Sequence, residues 1–313
     1  MIDDGKKKIQ ITPTLNGGVG TICKNMCARY RTSPNETVYE TTSLQKLIAV
    51  LKDNPDCTVI SHVNYLNAKV IVACILTLRK TNVFLIEHSD VFQELKEKKL
   101  KLMAVLLLYF ISQFFDIKIL SVSAQASERL NRVLGKGVVR RFKNPILSQI
   151  NFNTNKEKRR FVFISREGKQ KQNDHFFQVI RNLSILKVEF DCSIVGLPYT
   201  AVPFDIKSLK NIEICEHTPN IFTKIDHASL LVMTSKYEGF PTIIIEALSR
   251  GVPFLAYDCL TGPREICRES ESGCLIPQGN IEDFTNRLKL HLTNKPIKFD
   301  PVKAANYLEG FLI

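Results

Sequence analysis

At 313 residues the chain exceeds what one hydrophobic core usually supports, so two domains of ~150 residues are expected. Its 44% hydrophobic and 24% charged residues, with unremarkable Gly and Pro, exclude a disordered or collagen-like chain. Lys plus Arg number 43 against 31 Asp plus Glu, a net charge of +12 that favours phosphate-rich partners without choosing among nucleotide, nucleic acid and anionic lipid. No Trp is present and no RNP-like or helix-turn-helix pattern is found, so no nucleic-acid partner is expected. The 9 cysteines are scattered, odd in number and free of any CxxC pair, which suggests buried thiols in a reducing cytosol. The N-terminus MIDDGKKKIQIT lacks the apolar stretch of a signal peptide. The longest apolar run, Leu102–Phe115, is short of the roughly 20 residues that span a bilayer, so the expectation is a cytoplasmic protein.

Along the chain, β-branched runs alternate with helix-period stretches. Strands are expected at Ile9–Thr12, Thr58–Val63, Val83–Glu87 and Ile117–Val122, then at Phe161–Ser165, Cys192–Gly196, Ile212–Glu216, Leu230–Thr234 and Pro253–Tyr257. Helical periodicity falls at Leu44–Leu51, Phe176–Leu186 and Thr242–Ser249. Such alternation predicts α/β architecture with parallel sheets covered by helices. Asn144-Pro145 and the polar segment Asn151–Lys158 mark a boundary, giving expected domains 1–150 and 151–313. In open α/β sheets ligands bind at the carboxyl ends of the strands, which here would face a cleft between the two domains.

The segment Glu238–Glu246 (EGFPTIIIE) follows an apolar strand and opens a helix, with Pro241 suited to the first helical position. A helix N-terminus offers free backbone N–H groups to a phosphate or a sugar hydroxyl. Glu238 falls on the loop and Glu246 inside the helix among Ile244, Ile245, Ala247 and Leu248. A carboxylate in that setting needs a partner, either a ribose diol or a Lys or Arg of its own chain. Physics alone leaves those readings balanced.

Arg166 and Lys171 follow the strand Phe161–Ser165 in the turn where a doubly wound domain meets its ligand. They could grip a diphosphate, or simply form a solvated basic loop, with Lys169 as a substitute for Lys171. Near the start, Gly17 and Gly18 stand in a glycine-rich turn (Asn16–Thr21) that suits phosphate approach or a tight turn alone. The spacing is not G-x-G-x-x-G, so nicotinamide binding is unsupported. His88 ends the strand Val83–Glu87, and His62 ends another and could line the acceptor side. His175, His217, His227 and His291 show no metal-ligand spacing, so no metal or other cofactor is expected. Finally Lys96, Lys98, Lys99 and Lys101 precede the apolar run. They could contact an anionic membrane surface, while the run itself is expected to be a buried helix covering the first sheet.

The segment EGFPTIIIE resembles the E-x7-E signature of family-four retaining glycosyltransferases, which have the GT-B fold of two facing Rossmann-like domains. Ala228–Ser235, Glu246–Asp258, Thr261–Ile266 and Gly273–Pro277 resemble its flanks, and Ser121–Leu130 and Asn144–Ile146 resemble the end of the family's first domain. The resemblance implies a donor nucleotide sugar with its ribose on Glu246 and its diphosphate on Arg166 and Lys171. Glu238 and the backbone of Gly239 and Phe240, beside Pro241 and Thr242, would hold the sugar, with His88 near the reacting carbon and Gly17 and Gly18 facing the phosphates. It implies retaining transfer from a UDP-sugar, with GDP second, to a glycan or lipid-linked saccharide in polysaccharide or glycoconjugate synthesis. A non-catalytic nucleotide-sugar-binding subunit and a GT-B epimerase are the alternatives. The chain departs from the pattern at Ser165, at Gly196-Leu197-Pro198, and between Thr21 and Thr58, where it is shorter.

Overall fold

The computed structural model describes residues 6–29, 37–78, 82–115, 117–146, 148–153, 155–216, 218 and 220–312. The chain divides into two compact units, the first through Leu147 and the second Ser148–Leu312. His217, and residues 30–36 of the stretch that departs from the family pattern, lie outside the described residues.

The first unit carries strands β1 (Lys8–Thr12), β2 (Thr37–Glu40), β3 (Thr58–His62), β4 (Val83–Glu87), β5 (Lys118–Ser121) and β6 (Val139–Arg141). They form one parallel sheet in the order β2-β1-β3-β4-β5-β6. β1, β3 and β4 are buried along their whole length, as strands covered on both faces must be. Ile9, Ile11, Val59, Leu85, Ile119 and the helix residues Leu66, Val70 and Tyr109 fill the core.

The second unit repeats the plan with β7 (Glu157–Ile164), β8 (Asp191–Val195), β9 (Ile212–Cys215), β10 (Ala228–Met233), β11 (Phe254–Tyr257) and β12 (Gly273–Ile276). Their order is β12-β11-β10-β7-β8-β9, again all parallel. Aromatic side chains dominate this core: Phe163 stacks on Phe176, and Tyr257 packs edge-on against Phe284. Each fully buried ring contributes on the order of 2 kcal/mol from area removed from water. The C-terminal helix Pro301–Leu308 packs on the helices Thr242–Ser249 and Pro263–Ser270 of this unit.

Each sheet has one place where the chain leaves to one side and returns on the other. In the first unit it lies between β1 and β3, and in the second between β7 and β10. Loops at the carboxyl ends of such strand pairs diverge and leave a crevice. The candidate residues after β7 and β10 therefore meet because of strand order, despite their separation in sequence.

Three strands escape the apolar pattern, the short edge strands β2, β6 and β12, and β7 begins earlier than expected, with the charged, outward Glu157–Arg160 in a segment that reads as linker. The expectation of a buried helix over the apolar run is corrected. In Lys99–Ser112 only Val105, Tyr109 and Ser112 are buried, while Leu100, Met103, Leu107 and Phe110, with Phe114 just beyond, stand exposed. Their spacing puts them on one side of the helix. Lys96, Lys98, Lys99 and Lys101 are exposed at its start. No helix among the described residues is long and apolar enough to cross a membrane. Cys23, Cys57, Cys74, Cys192 and Cys259 are buried, whereas Cys27, Cys215, Cys267 and Cys274 are only partly buried.

Candidate functional site

In the second unit, the loop leaving β7 runs through Ser165, Arg166 and Lys171 to the helix Asn173–Ile185. The Thr234 hydroxyl at the end of β10 donates to the carbonyls of Lys171 and Gln172 at 3.0 and 3.1 Å, tying the two loops together. Lys236 N–H donates to Gln170 O at 2.7 Å, and Gln170 Nε2 donates to Tyr237 O at 2.8 Å. Gln172 is held at φ 47°, a left-handed conformation that turns the chain into the helix. The loop is thus a fixed platform.

On this platform the two expected diphosphate cations differ. Lys171 Nζ lies 2.6 Å from Glu238 Oε1, and both side chains are largely withdrawn from water. Arg166 is exposed, with no side-chain hydrogen bond or ion pair to another described residue; Lys169 is exposed as well. The Ser165 hydroxyl is engaged with Asn173 Oδ1 at 2.7 Å. Gly196 follows β8 at φ 87°, and a Cβ there would sit 2.5 Å from the Ser165 carbonyl oxygen. That close approach demands glycine.

The second loop, Ser235–Pro241, is closed from behind by Thr261 and Gly262. The Thr261 hydroxyl donates to the Glu238 carbonyl. Gly262 has φ 78°, and a Cβ on it would fall 2.5 Å from Pro241 Cδ. Phe240 is buried with its ring stacked on Phe311. Pro241 occupies the position before the helix and Thr242 the first helical position, one residue later than the proline rule places it. Ser43, Ser123, Asn280 and Asp300 cap their helices with side chains, whereas Thr242–Ser249 and Asn173–Ile185 start with none. Ile244 N–H donates to Pro241 O, and His175 and Phe176 N–H donate to Gln172 O, which leaves the N–H groups of Thr242, Ile243, Asn173 and Asp174 for an anion or a hydroxyl.

Glu246 lies within this helix, partly buried, and its carboxylate has no hydrogen-bond or ion-pair partner among the described residues. Desolvation pushes its pKa up to about 7. Among the described residues no Lys or Arg compensates it, which favours the ligand reading over the core ion pair.

In the first unit, Gly17 opens the helix Gly17–Arg29 at φ 75°, and a Cβ on Gly18 would meet nothing within 4 Å. Gly20 is the sterically required glycine: a Cβ there would lie 2.3 Å from the Leu15 backbone. His88 follows β4 and is partly buried. Its Nε2 lies 2.8 Å from His62 Nδ1, and His62 Nε2 lies 3.1 Å from Gln10 Oε1. His62 is wholly buried and so does not line a surface, as its strand-end position had suggested. Burial lowers His88 to about 4 and holds His62 well below its ordinary value.

Gln10 and Gln170 stand out in no motif, while Gly20, Thr261 and Gly262 lie in the glycine-rich turn and in the segment Thr261–Ile266 without a role of their own. Their signal is three-dimensional, a close backbone approach or a hydrogen bond across many residues. Among the described residues no group of three or more His, Cys, Asp or Glu is placed to hold a metal. A surface hollow of about 300 Å³ is lined by Asp191, Lys210 and Ile212 at the amino ends of β8 and β9, the opposite end from these loops.

Residues 148–306 match the model of the family "Glycosyl transferases group 1". The lipopolysaccharide 1,6-galactosyltransferase of Salmonella typhimurium is 40% identical over 65 residues, covering 21% of this chain and 18% of that protein. The poly(glycerol-phosphate) alpha-glucosyltransferase of Bacillus subtilis is 31% identical over 137 residues, 42% of this chain and 20% of that one. The chain thus matches about a fifth of the length of these curated relatives. Among solved structures, the lipopolysaccharide outer core galactosyltransferase WaaB aligns over 97% of this chain and 95% of its own, with TM-score 0.70 and 16% identity. Anabaena Alr3699/HepE, solved with UDP-glucose, aligns over 97% and 98% with TM-score 0.70 and 13% identity. These likenesses show the fold, two Rossmann-like units of the GT-B class. The family match covers just over half of the chain, and the protein belongs to the glycosyl transferases group 1 family.

Proposed function

We propose that the protein is a retaining glycosyltransferase that moves a hexose from a UDP-sugar to a hydroxyl of a glycan or lipid-linked saccharide. The observation that carries this reading is Glu246: a desolvated carboxylate without a partner among the described residues, in a helix that starts with no side-chain cap. A ribose diol donates two hydrogen bonds to such a carboxylate and returns it to its charged form. Arg166, unpaired and exposed, neutralises the leaving diphosphate. Lys171 holds Glu238 against the loop and adds positive charge beside the same phosphates. Glu238 and the backbone N–H groups of Gly239 and Phe240 take sugar hydroxyls, next to Pro241 and Thr242. Gly17 and Gly18 leave the first unit's helix start open to phosphate, and His88 contacts the transferring sugar.

Charge developing on the leaving group is stabilised by preorganised cations and amides, so this reading asks for no metal. UDP is preferred to GDP as carrier because solved proteins of like fold hold UDP or UDP-glucose. Lipopolysaccharide and poly(glycerol-phosphate) glycosyltransferases among the relatives support a surface-glycan acceptor. The exposed apolar side of Lys99–Ser112, with lysines at its start, supports peripheral contact with an anionic membrane at the cytoplasmic face.

A donor screen following nucleotide release tests the reading, with the anomeric configuration of the product determined by NMR. Release of UDP and an α-linked product from an α-linked donor support it. Binding of nucleotide sugar without turnover across a wide acceptor panel would favour a non-catalytic subunit instead.

A further inference from the structure

The three-residue chain Gln10–His62–His88 has a direction that its chemistry fixes. Gln10 Nε2 donates to the Cys23 carbonyl at 3.1 Å and to Cys27 Sγ at 3.0 Å. A carbonyl oxygen only accepts, so the NH2 end of the Gln10 amide is settled and its Oε1 faces His62. An amide oxygen also only accepts, so the proton between them sits on His62 Nε2. A neutral imidazole carries one ring proton. His62 Nδ1 is then bare and accepts from His88 Nε2–H across 2.8 Å. His88 in turn keeps no proton on Nδ1.

That last nitrogen is buried and has no partner among the described residues. Buried acceptors in native proteins are nearly always satisfied, so an unpartnered one points to a missing donor. The ring as a whole is only partly buried, at the carboxyl end of β4 beside the crevice between β1 and β3. Burial keeps both rings neutral at physiological pH, in keeping with one proton on each.

We propose that Gln10 and His62 are positioning residues that lock His88 in the Nε2–H tautomer, so that its bare Nδ1 accepts a hydrogen bond from a hydroxyl of the bound sugar. This deepens the glycosyltransferase reading and rests on it for the identity of the ligand. Its consequence is selectivity. Nδ1 can take an O–H donor but repels a carboxylate, carbonyl or ether oxygen at the same place. The sugar presented to His88 is therefore a neutral hexose with a free hydroxyl there, and a deoxy sugar or a uronate at that position is disfavoured. No proton is transferred in this contact.

The test is long-range proton–nitrogen NMR on the full chain with nitrogen-15 histidine, which distinguishes protonated from bare ring nitrogens. The wild-type protein is expected to show His88 protonated at Nε2 and bare at Nδ1. Gln10→Met, which keeps the bulk and removes the acceptor for His62, is expected to give a mixture of tautomers. With it, KM for the donor should rise about tenfold at nearly unchanged kcat, the pattern of a contact made equally in ground and transition states. A merely structural glutamine would lower thermal stability without moving the tautomer or splitting KM from kcat. A wild-type His88 protonated at Nδ1 overturns the proposal, as does an unchanged tautomer and KM in Gln10→Met. The wild-type spectrum decides even where the variant does not fold. If the tautomer is as stated and no nucleotide sugar is consumed, the positioning chain stands and the functional reading falls.

Discussion

Lys171 and Glu238 stand 67 residues apart, on the loops after β7 and β10, and are joined by an ion pair of 2.6 Å. The relationship changes the expected division of labour, in which one gripped phosphate and the other sugar. With side chains only 20% and 10% exposed, each depends on the other for its charge. Lys171→Ala is expected to destabilise the second unit by about 2–3 kcal/mol, because Glu238 is left with an uncompensated charge. The double variant Lys171→Ala/Glu238→Ala should lose less than the sum of the two single changes. Urea unfolding of the three variants measures this, and strict additivity would show that the pair does not act as a unit.

Arg166 provides the contrast. It is exposed and makes no side-chain bond within the described chain, so Arg166→Ala should leave stability within about 0.5 kcal/mol of the wild type. Its affinity for a nucleoside diphosphate should fall about tenfold or more through loss of a bidentate phosphate contact. Lys169→Ala, three residues on and equally exposed, should change affinity by less than about twofold. Equal losses in both variants would make the loop a diffuse basic patch.

Glu246 carries a pH signature. Its folded-state pKa, about 7, lies above the ordinary 4.5, so the folded protein binds more protons than the unfolded chain between those values. Its contribution to stability is therefore most favourable below about 4.5 and is lost as pH rises through 7. Glu246→Gln should be more stable than the wild type at pH 8, on the order of 2 kcal/mol after allowing for partial exposure, and should lose that advantage by pH 4. Glu87 is also raised to about 7 by burial, but it is common to both proteins and cancels in the difference. Thermal unfolding across pH tests this; a flat difference would mean that Glu246 is compensated in solution.

The glycine turn separates packing from function. Gly20→Ala places a Cβ 2.3 Å from the Leu15 backbone and should destabilise the first unit by about 2 kcal/mol or more. At Gly18 nothing lies within 4 Å, so Gly18→Ala should fold as well as the wild type while transfer activity falls about tenfold. Melting curves and activity assays on the pair check it, and full activity in Gly18→Ala would remove that residue from the phosphate's surroundings.

Much of the fold was legible because parallel strands covered on both faces are written as continuous apolar runs. β4 and the helix Thr242–Ser249 stand where their apolar runs ended. β2, β6 and β12 were not legible, since short edge strands carry little burial, nor was the charged start of β7. The apolar run after Lys101 was misread for a related reason. Apolar composition does not say whether a helix faces its own sheet or something outside, and four large side chains of this run, Met103, Leu107, Phe110 and Phe114, face outward. In the site, motif order picked out Arg166, Glu238 and Glu246. The pairing of Lys171 with Glu238 and of His88 with His62 depends on which loops strand order brings together, and no spacing encodes that.

The outward apolar side makes a separate claim. The wild-type protein should sediment with vesicles containing phosphatidylglycerol and be released by high salt, since lysines and apolar side chains act together. Leu107→Gln/Phe110→Gln should bind such vesicles about tenfold more weakly with unchanged melting temperature, because both residues are more than half exposed (59% and 51%). Vesicle binding that survives the double change would place the contact elsewhere.

The central claim, that the second unit holds a nucleoside diphosphate through Glu246, is tested most directly by calorimetric titration of UDP into the wild type and Glu246→Ala. The wild type is expected to bind one UDP, and Glu246→Ala to bind it at least about tenfold more weakly, through loss of the ribose hydrogen bonds to a charged acceptor. UDP bound equally well by both proteins, or by neither, would contradict it.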